Sequence, residues 1–307
     1  MRRSILLAFM VSVSVISVVV AQRGGRSAAQ RMPPGQECPP GQTETRPGRC
    51  QTPEFPPPSI VDYRPKSKLV TAEHPVPKAK FPAIDIHGHY FALGSTGGID
   101  QLIAALDSLN VRVFVSADNS TGDRLARTMA AVNASPHKDR VRVLAGIDFS
   151  RVGPGWASKA IAQLEADLKA GAVGVGEISK AFGLTTTKPD GTRLRVDDPE
   201  IDSLWDAFAR LDVPVFIHTA EPQEFFQPMD NHNERWLELS LFPERRNNQS
   251  GHVTFDELMT ERNNMFRKHP KTRFIAAHFG WHANDLAKAA AMLDRSEERR
   301  VGKECRL

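Results

Sequence analysis

From residue 81 onward, short runs rich in Val, Ile and Ala alternate with segments whose apolar residues recur at helical spacing. The runs predict six strands, at residues 83–87, 111–116, 141–147, 173–178, 213–218 and 273–278. The intervening patterns predict six helices, within residues 97–110, 121–134, 155–171, 198–212, 254–270 and 282–294. Regular alternation of strand and helix implies a parallel sheet with right-handed crossovers, so an α/β protein is expected.

Two α/β architectures fit six such units: a doubly wound sheet and an incomplete (β/α)8 TIM barrel. The segment at the first strand reads D-I-H-G-H-Y-F-A-L-G-S-T-G-G, which is not the G-x-G-x-x-G loop of a dinucleotide-binding sheet. The missing phosphate loop weakens a nucleotide-binding interpretation, but by itself it does not decide between the two architectures.

The N-terminus has the layout of a targeting segment. Arg2 and Arg3 precede an apolar run from residue 5 to residue 20, and Ala21 is followed by Gln22. This order is typical of a secretory signal peptide over residues 1–21. The alternative is an uncleaved membrane anchor, but the run is shorter than the roughly 20 residues that a spanning helix needs. We therefore expect a periplasmic or secreted protein without a stable membrane anchor after cleavage.

Residues 22–80 are rich in Pro, Gly, Gln and Arg and can bury little apolar surface. A linker or a surface-hugging arm is therefore expected there. Cys38 and Cys50 within it are either two free thiols or the ends of a small disulfide loop, and the predicted export favours the bridge. The globular part is expected to span residues 81–294.

The charge balance bears on the partners of the protein. Residues 22–294 contain equal numbers of basic and acidic side chains, so the chain lacks the basic footprint of a nucleic-acid-binding protein. The expected partner is a small-molecule substrate, and a homo-oligomer is compatible with the sequence.

Histidines recur at the predicted carboxyl ends of three strands. His87 and His89 alternate in I-D-I-H-G-H-Y and therefore share one face of the first strand, while His218 and His278 end the fifth and sixth strands. Active sites of barrels are built at this end of the sheet. Neutral imidazole is the commonest metal ligand in proteins. The pattern favours a mononuclear metal site over structural histidines.

Three further residues lie near the same predicted edge. Glu177 and Lys180 follow the fourth strand, where the carboxylate could bridge a second metal or bind substrate, or the two side chains could simply form an ion pair. His282 follows the sixth strand and is kept as a candidate substrate contact. The remaining histidines, among them His269, are expected to be solvated.

The H-x-H of the first strand, the histidines of strands five and six, and the segments I-H-T-A-E-P-Q-E-F-F-Q-P and A-A-H-F-G-W resemble the amidohydrolase superfamily. More narrowly, they resemble its branch related to aminocarboxymuconate-semialdehyde decarboxylase, over about residues 81–294. The resemblance implies a distorted TIM barrel that binds a divalent metal, usually zinc. It also implies His87, His89 and His218 as metal ligands, with His278 as a general base or polarising group.

The resemblance further implies hydrolysis of a small organic substrate by a metal-activated water. A non-oxidative decarboxylase (a lyase) on the same scaffold is the first alternative, and a binding protein without turnover is the second.

The end of the chain departs from the family pattern. In the family, the last functional residue is an aspartate at the end of strand eight, and no counterpart of strands seven and eight can be assigned before Leu307. Residues 295–306 resemble, residue for residue, one reading frame of a common short-read sequencing adapter. We therefore expect residues 295–307 to be a non-native tail, and the barrel to be truncated after about six units. The chain itself would then be a non-catalytic fragment.

Overall fold

The computed structural model describes residues 30–33, 36–46, 48–52, 75–230, 232–283 and 285–294. The predicted signal peptide (1–21) and the predicted non-native tail (295–307) lie outside the described residues. The chain divides into two compact units, residues 1–65 and 66–307.

The first unit contains a small antiparallel sheet. Its strands are β1 (Gln30–Arg31), β2 (Thr43–Arg46) and β3 (Arg49–Gln51), in the order β1-β3-β2. Cys38 and Cys50 form a disulfide with their Cα atoms 5.6 Å apart, so the bridged alternative is the one observed. The segment expected to be a linker or a surface-hugging arm, residues 22–80, thus contains a small sheet among its described residues. Strands of two to four residues are too short to show a hydrophobic period, and a crosslink supplies order where little apolar surface can be buried.

The second unit is built on a six-stranded parallel sheet. Its strands are β4 (Ala83–Gly88), β5 (Val111–Ser120), β6 (Val141–Ala145), β7 (Val175–Ile178), β8 (Val215–Ile217) and β9 (Phe274–Ala276). All six predicted strands are confirmed, and they lie side by side in chain order from β4 to β9. A doubly wound sheet reverses its strand order at a switch point. The uninterrupted order is that of a (β/α) barrel.

The helices that connect these strands are also those predicted. They are α1 (Thr96–Ser108), α2 (Gly122–Ala134), α3 (Trp156–Ala170), α5 (Asp202–Arg210), α7 (Phe255–Lys268) and α8 (Leu286–Leu293), with two shorter helices, α4 (Ala181–Leu184) and α6 (Trp236–Leu241). Gly171 ends α3 in the left-handed conformation, at φ 118°. Within the described ranges, no helix combines the length and apolar character needed to cross a membrane.

The sheet curls rather than lying flat. The ring of His87 on β4 packs against Phe216 on β8 with centroids 4.5 Å apart. In a flat sheet, strands four places apart would be separated by roughly 19 Å. The contact therefore requires the six strands to bend into a half-barrel, with the concave face lined by the inward side chains of distant strands.

The hydrophobic core lies between the sheet and its helices. Val175 and Val215 on the central strands are fully buried, as are Trp205 and Phe208 on α5. At the two edges, Ile84 and Ile275 remain 61% and 38% exposed on β4 and β9. Among the described residues, neither edge strand has a partner on its outer side. The fold is therefore a TIM-type barrel represented by six of its eight β/α units.

Candidate metal centre

The curl brings polar side chains from four strands together at the carboxyl ends of the sheet. Nε2 of His87 lies 3.2 Å from Nε2 of His89 and 3.4 Å from Oε1 of Glu177. Nε2 of His89 lies 3.4 Å from Oε2 of the same carboxylate. Two nitrogen ligands about 2.1 Å from a tetrahedral ion are themselves roughly 3.4 Å apart. These three side chains thus have the mutual spacing of ligands around one metal ion.

His218 joins the cluster through Glu177. Its Nδ1 lies 2.8 Å from Oε1 of Glu177, and because an ionised carboxylate only accepts, Nδ1 carries the proton. The other ring nitrogen, Nε2, is buried and has no hydrogen-bond partner among the described residues. A buried lone pair without a partner is unfavourable in a protein interior unless something else binds it. This nitrogen is therefore a candidate metal ligand.

His278 completes the group of histidines. Its ring lies 4.5 Å from that of His218 and 5.4 Å from that of His87, centroid to centroid. His87, Glu177 and His278 offer donor atoms that all lie within 4.8 Å of one another. Burial lowers the pKa of His278 from its ordinary value, and the neighbouring imidazoles of His218 and His87 lower it further. The ring is therefore neutral at pH 7, with a lone pair free to accept a proton.

Two glycines let the strands carry these side chains so close together. Gly88 separates His87 from His89, and a Cβ at this position would overlap the ring of Phe114 on β5. Gly176 has φ +136° and precedes Glu177, where a Cβ would come 2.5 Å from the carbonyl oxygen of Phe216. Both positions therefore require glycine, because the backbone approaches a neighbouring strand directly beside a site residue.

His278 is presented by an unusual backbone turn. Residues 278–281 all have positive φ, between 53° and 59°. For non-glycine residues this conformation costs roughly 1–2 kcal/mol each. Arg262 on α7, only 1% exposed, holds the turn by donating from Nη1 to the carbonyl oxygen of Gly280 across 2.7 Å. The strained turn aims the imidazole at the concave face.

Glu177 and Lys180, which the sequence left open as a possible ion pair, have different partners in the structure. Burial alone would raise the pKa of Glu177, but the hydrogen bond from His218 and the charges of the nearby imidazoles outweigh it, so the pKa is lowered overall. Lys180 instead pairs with Glu221, which is 7% exposed. Glu177 is therefore an ionised carboxylate whose contacts are with the histidines of the cluster.

Two buried histidines lie outside this cluster. His282, the predicted substrate contact, is 6% exposed and has Nε2 3.1 Å from Nη2 of Arg262. It lines a cavity of about 320 Å³ between α7 and α8. His269, expected to be solvated, is 4% exposed and lies between the carboxylates of Asp202 and Asp206. Its burial corrects the sequence-based expectation.

Sequence reasoning also missed Asp118 at the end of β5. Its Oδ1 lies 3.2 Å from Nδ1 of His89, and its side chain is only 7% exposed. The signal was present in the sequence, because V-S-A-D places a carboxylate at the carboxyl end of the second strand.

The parallel half-barrel gathers four histidines and a carboxylate at its carboxyl edge, and three of these residues, His87, Glu177 and His278, offer donor atoms close enough together to hold a metal ion. A model of the amidohydrolase family matches residues 79–302. The chain therefore belongs to the amidohydrolase family, whose members are metal-dependent enzymes.

Solved structures similar to the chain include two 2,6-dihydroxybenzoate decarboxylases. One, in complex with 2,6-dihydroxybenzoate, is 16% identical, with 68% of this chain and 73% of that chain covered and a TM-score of 0.39. The other, from Rhizobium, is 15% identical over 66% of this chain and 67% of that chain, with a TM-score of 0.38. An amidohydrolase from Mycobacterium avium subsp. paratuberculosis K-10 is 18% identical, with 64% of this chain and 53% of that chain covered and a TM-score of 0.36. No curated protein matches the chain.

Proposed function

We propose that this protein is an amidohydrolase-type hydrolase that uses zinc to act on a small organic substrate. The observation that carries the proposal is the 3.2–3.4 Å spacing among the Nε2 atoms of His87 and His89 and the carboxylate of Glu177. Imidazole nitrogens at this spacing, with a carboxylate beside them, suit Zn²⁺. Calcium and magnesium prefer sites made of oxygen ligands.

The proposed ligands are His87, His89 and His218, each through Nε2, and the partnerless Nε2 of His218 supports this choice. A zinc ion bound there would act as a Lewis acid, lowering the pKa of water and polarising a substrate oxygen. Glu177 accepts the Nδ1 proton of His218, which leaves the lone pair of that ring on Nε2. The carboxylate also supplies negative charge that favours a cation between the rings.

His278 is proposed as the residue that moves a proton. Its ring is exposed at the mouth of the half-barrel, and its lowered pKa keeps it neutral and able to accept a proton at pH 7. General bases of this kind must lie within hydrogen-bond reach of the proton they take. The turn of residues 278–281, anchored by Arg262, supports this role because it fixes the position of the ring.

Turnover is proposed to require a closed barrel. The outer edges of β4 and β9 are unpaired among the described residues, and Ile86 on β4 is 55% exposed. Unpaired edges with apolar faces favour association rather than a rigid active site. We therefore propose that the 307-residue chain alone binds metal but has no turnover, and that a chain carrying two further β/α units is active.

The test compares the zinc-loaded 307-residue chain with a gene product that contains all eight units. Both are incubated with panels of esters, lactones, amides and aromatic carboxylates, and hydrolysis products and CO₂ are measured separately. Hydrolysis by the longer protein, abolished in its His87→Ala and His89→Ala variant, is the expected result. Release of CO₂ without hydrolysis would replace the hydrolase by the decarboxylase alternative. Absence of both reactions across all panels would favour a binding protein.

Export through the predicted signal peptide is part of the same proposal. It is supported by the sequence of residues 1–21 and by the Cys38–Cys50 disulfide, a bond typical of oxidising compartments. Mass spectrometry of protein from the periplasmic fraction should give a mature chain beginning at Gln22. A chain that keeps residue 1 and stays with the membranes would contradict export with cleavage.

A further inference from the structure

Asp118 lies beside the first-strand histidines without being one of the proposed ligands. It is close to the end of β5, which pairs with β4 in a register that places Ser116 opposite Gly88. Its carboxylate reaches His89, whose Nδ1 lies 3.2 Å from Oδ1. This contact joins residues 29 positions apart in the sequence.

The contact decides which nitrogen of His89 is free. A carboxylate accepts and does not donate, so the proton of a neutral His89 ring resides on Nδ1. The lone pair is then on Nε2, the atom that lies 3.2 Å from Nε2 of His87 and 3.4 Å from Oε2 of Glu177. The ring therefore presents a ligand atom to the centre of the cluster.

The carboxylate of Asp118 is itself held in place. The hydroxyl of Ser116 donates to Oδ2 across 2.8 Å, and the backbone N–H of Tyr90 donates to the same oxygen across 3.3 Å. The side chain of Asp118 is 7% exposed, whereas that of His89 is 41% exposed. The buried carboxylate of Asp118, held by two hydrogen bonds, thus orients the more exposed ring of His89.

We propose that Asp118 is a positioning residue of the metal centre, which fixes the tautomer and orientation of His89. The inference rests on the proposed function, because it concerns one ligand of the proposed metal site. Carboxylates that accept from a ligating histidine fix its orientation and increase its basicity, and their loss typically lowers metal affinity about 10- to 100-fold.

The first experiment measures zinc affinity of the 307-residue chain by competition with a chromophoric chelator. Asp118→Ala should weaken binding about 10- to 100-fold. Asp118→Asn keeps an acceptor oxygen and should lose less. The matched control is Asp206→Ala, which removes a carboxylate from His269, a histidine outside the cluster, and should leave zinc affinity unchanged. Melting temperatures of all variants show whether each is folded.

The second experiment needs no metal. Long-range ¹H–¹⁵N spectra of histidine-labelled protein report which ring nitrogen carries the proton. His89 should be protonated on Nδ1 in the wild-type chain and should lose this preference in Asp118→Ala. If that variant does not fold, Ser116→Ala, which removes the donor to Oδ2, should weaken zinc binding by a smaller factor.

The outcomes separate the two claims. A wild-type chain that binds no zinc overturns the proposed function, while the spectra still decide whether Asp118 sets the tautomer of His89. If the wild-type chain binds zinc, and folded Asp118→Ala and Asp118→Asn bind it as tightly as the wild type does, the inference about Asp118 is overturned while the proposed function stands. A proton found on Nε2 of His89 in the wild-type chain also overturns it.

Discussion

Oε1 of Glu177 accepts a hydrogen bond from Nδ1 of His218 across 2.8 Å, linking β7 to the residue that follows β8 at the mouth of the half-barrel. The same oxygen lies 3.4 Å from Nε2 of His87. One carboxylate therefore contacts side chains from β4 and from the end of β8, two strands that are four places apart in the sheet. Its negative charge and the direction of the His218 proton both favour a cation between the imidazoles.

Glu177→Gln should weaken metal binding without unfolding the chain. The amide keeps the size of the side chain and one acceptor oxygen, but it removes the charge and places an N–H₂ group near two histidine nitrogens. We expect zinc affinity to fall about 10-fold or more, as is typical when a group that supports metal ligands is altered. Isothermal titration with zinc measures the change. Equal affinities for Glu177→Gln and wild type would show that the carboxylate does not serve the site.

His218→Ala and His278→Ala should separate ligand binding from proton transfer. His218 is the proposed ligand, so its loss should strongly reduce zinc content, whereas His278→Ala should retain most of it. In an active eight-unit protein, His278→Ala should instead lower turnover about 100- to 10,000-fold. His252→Ala, at an exposed loop position, is the control. Equal metal loss in the two cluster variants would make His278 a ligand.

Arg262→Met should loosen the turn that carries His278 more than it destabilises the fold. Burial lowers the pKa of Arg262 to about 10, so its charge is costly. This shift corresponds to roughly 3 kcal/mol. Hydrogen bonds from a charged donor contribute about 1.5–3 kcal/mol each, which offsets much of that cost.

We therefore expect the free energy of unfolding to change by less than about 2 kcal/mol, while amide exchange at residues 279–282 becomes faster. Arg267→Ala, on the same helix α7, is the matched control and should leave exchange in the turn unchanged. Unchanged exchange at these residues in Arg262→Met would show that the guanidinium does not anchor the turn.

The N-terminus of α7 should make stability depend on pH. Glu257 and Thr254 form a capping box, with Oε2 of Glu257 2.7 Å from the backbone nitrogen of Thr254. These hydrogen bonds hold the pKa of Glu257 below its ordinary value of 4.5. A carboxylate with a lowered folded-state pKa stabilises the fold above its unfolded pKa, and the contribution is lost as pH falls through the folded value.

Glu257→Ala should therefore lower the melting temperature at pH 7 more than at pH 3. Thermal melts across this range measure the difference, with Glu234→Ala at an exposed position as the control. Equal destabilisation by Glu257→Ala at both pH values would show that the ionised carboxylate of Glu257 does not stabilise the N-terminus of α7.

Much of the fold could be predicted because each element has its own local pattern. The runs at β5 and β6 are rich in Val and are followed by amphipathic helices, so strand, helix and parallel order are all encoded locally. The strands β1 to β3 carry no such pattern, because they are short and polar, and β2 lies within the loop closed by the Cys38–Cys50 disulfide.

The histidines of the candidate site, and the nearby carboxylates at strand ends, leave a signal in the sequence, but which side chains contact each other does not. His87, His89, His218 and His278 end recognisable strands, whereas the pairing of His89 with Asp118 depends on the register of two strands. The contact between Glu177 and His218 joins residues 41 positions apart and likewise depends on strand register. His269 was predicted to be solvated, because its burial depends on the packing of α5 against the end of α7 and not on the residues around it in the sequence. Such tertiary contacts leave no trace in the local sequence.

The proposed metal site is tested most simply by the metal content of the 307-residue chain after zinc loading and removal of free metal, measured by mass spectrometry. We predict about one zinc ion per chain, as for a mononuclear site, and almost none in the double variant His87→Ala and His89→Ala. The control is His232→Ala with His252→Ala, two exposed histidines whose loss should change nothing. A wild-type chain that retains no zinc, or a His87/His89 double variant that retains a full equivalent, would contradict a metal site built on these two histidines.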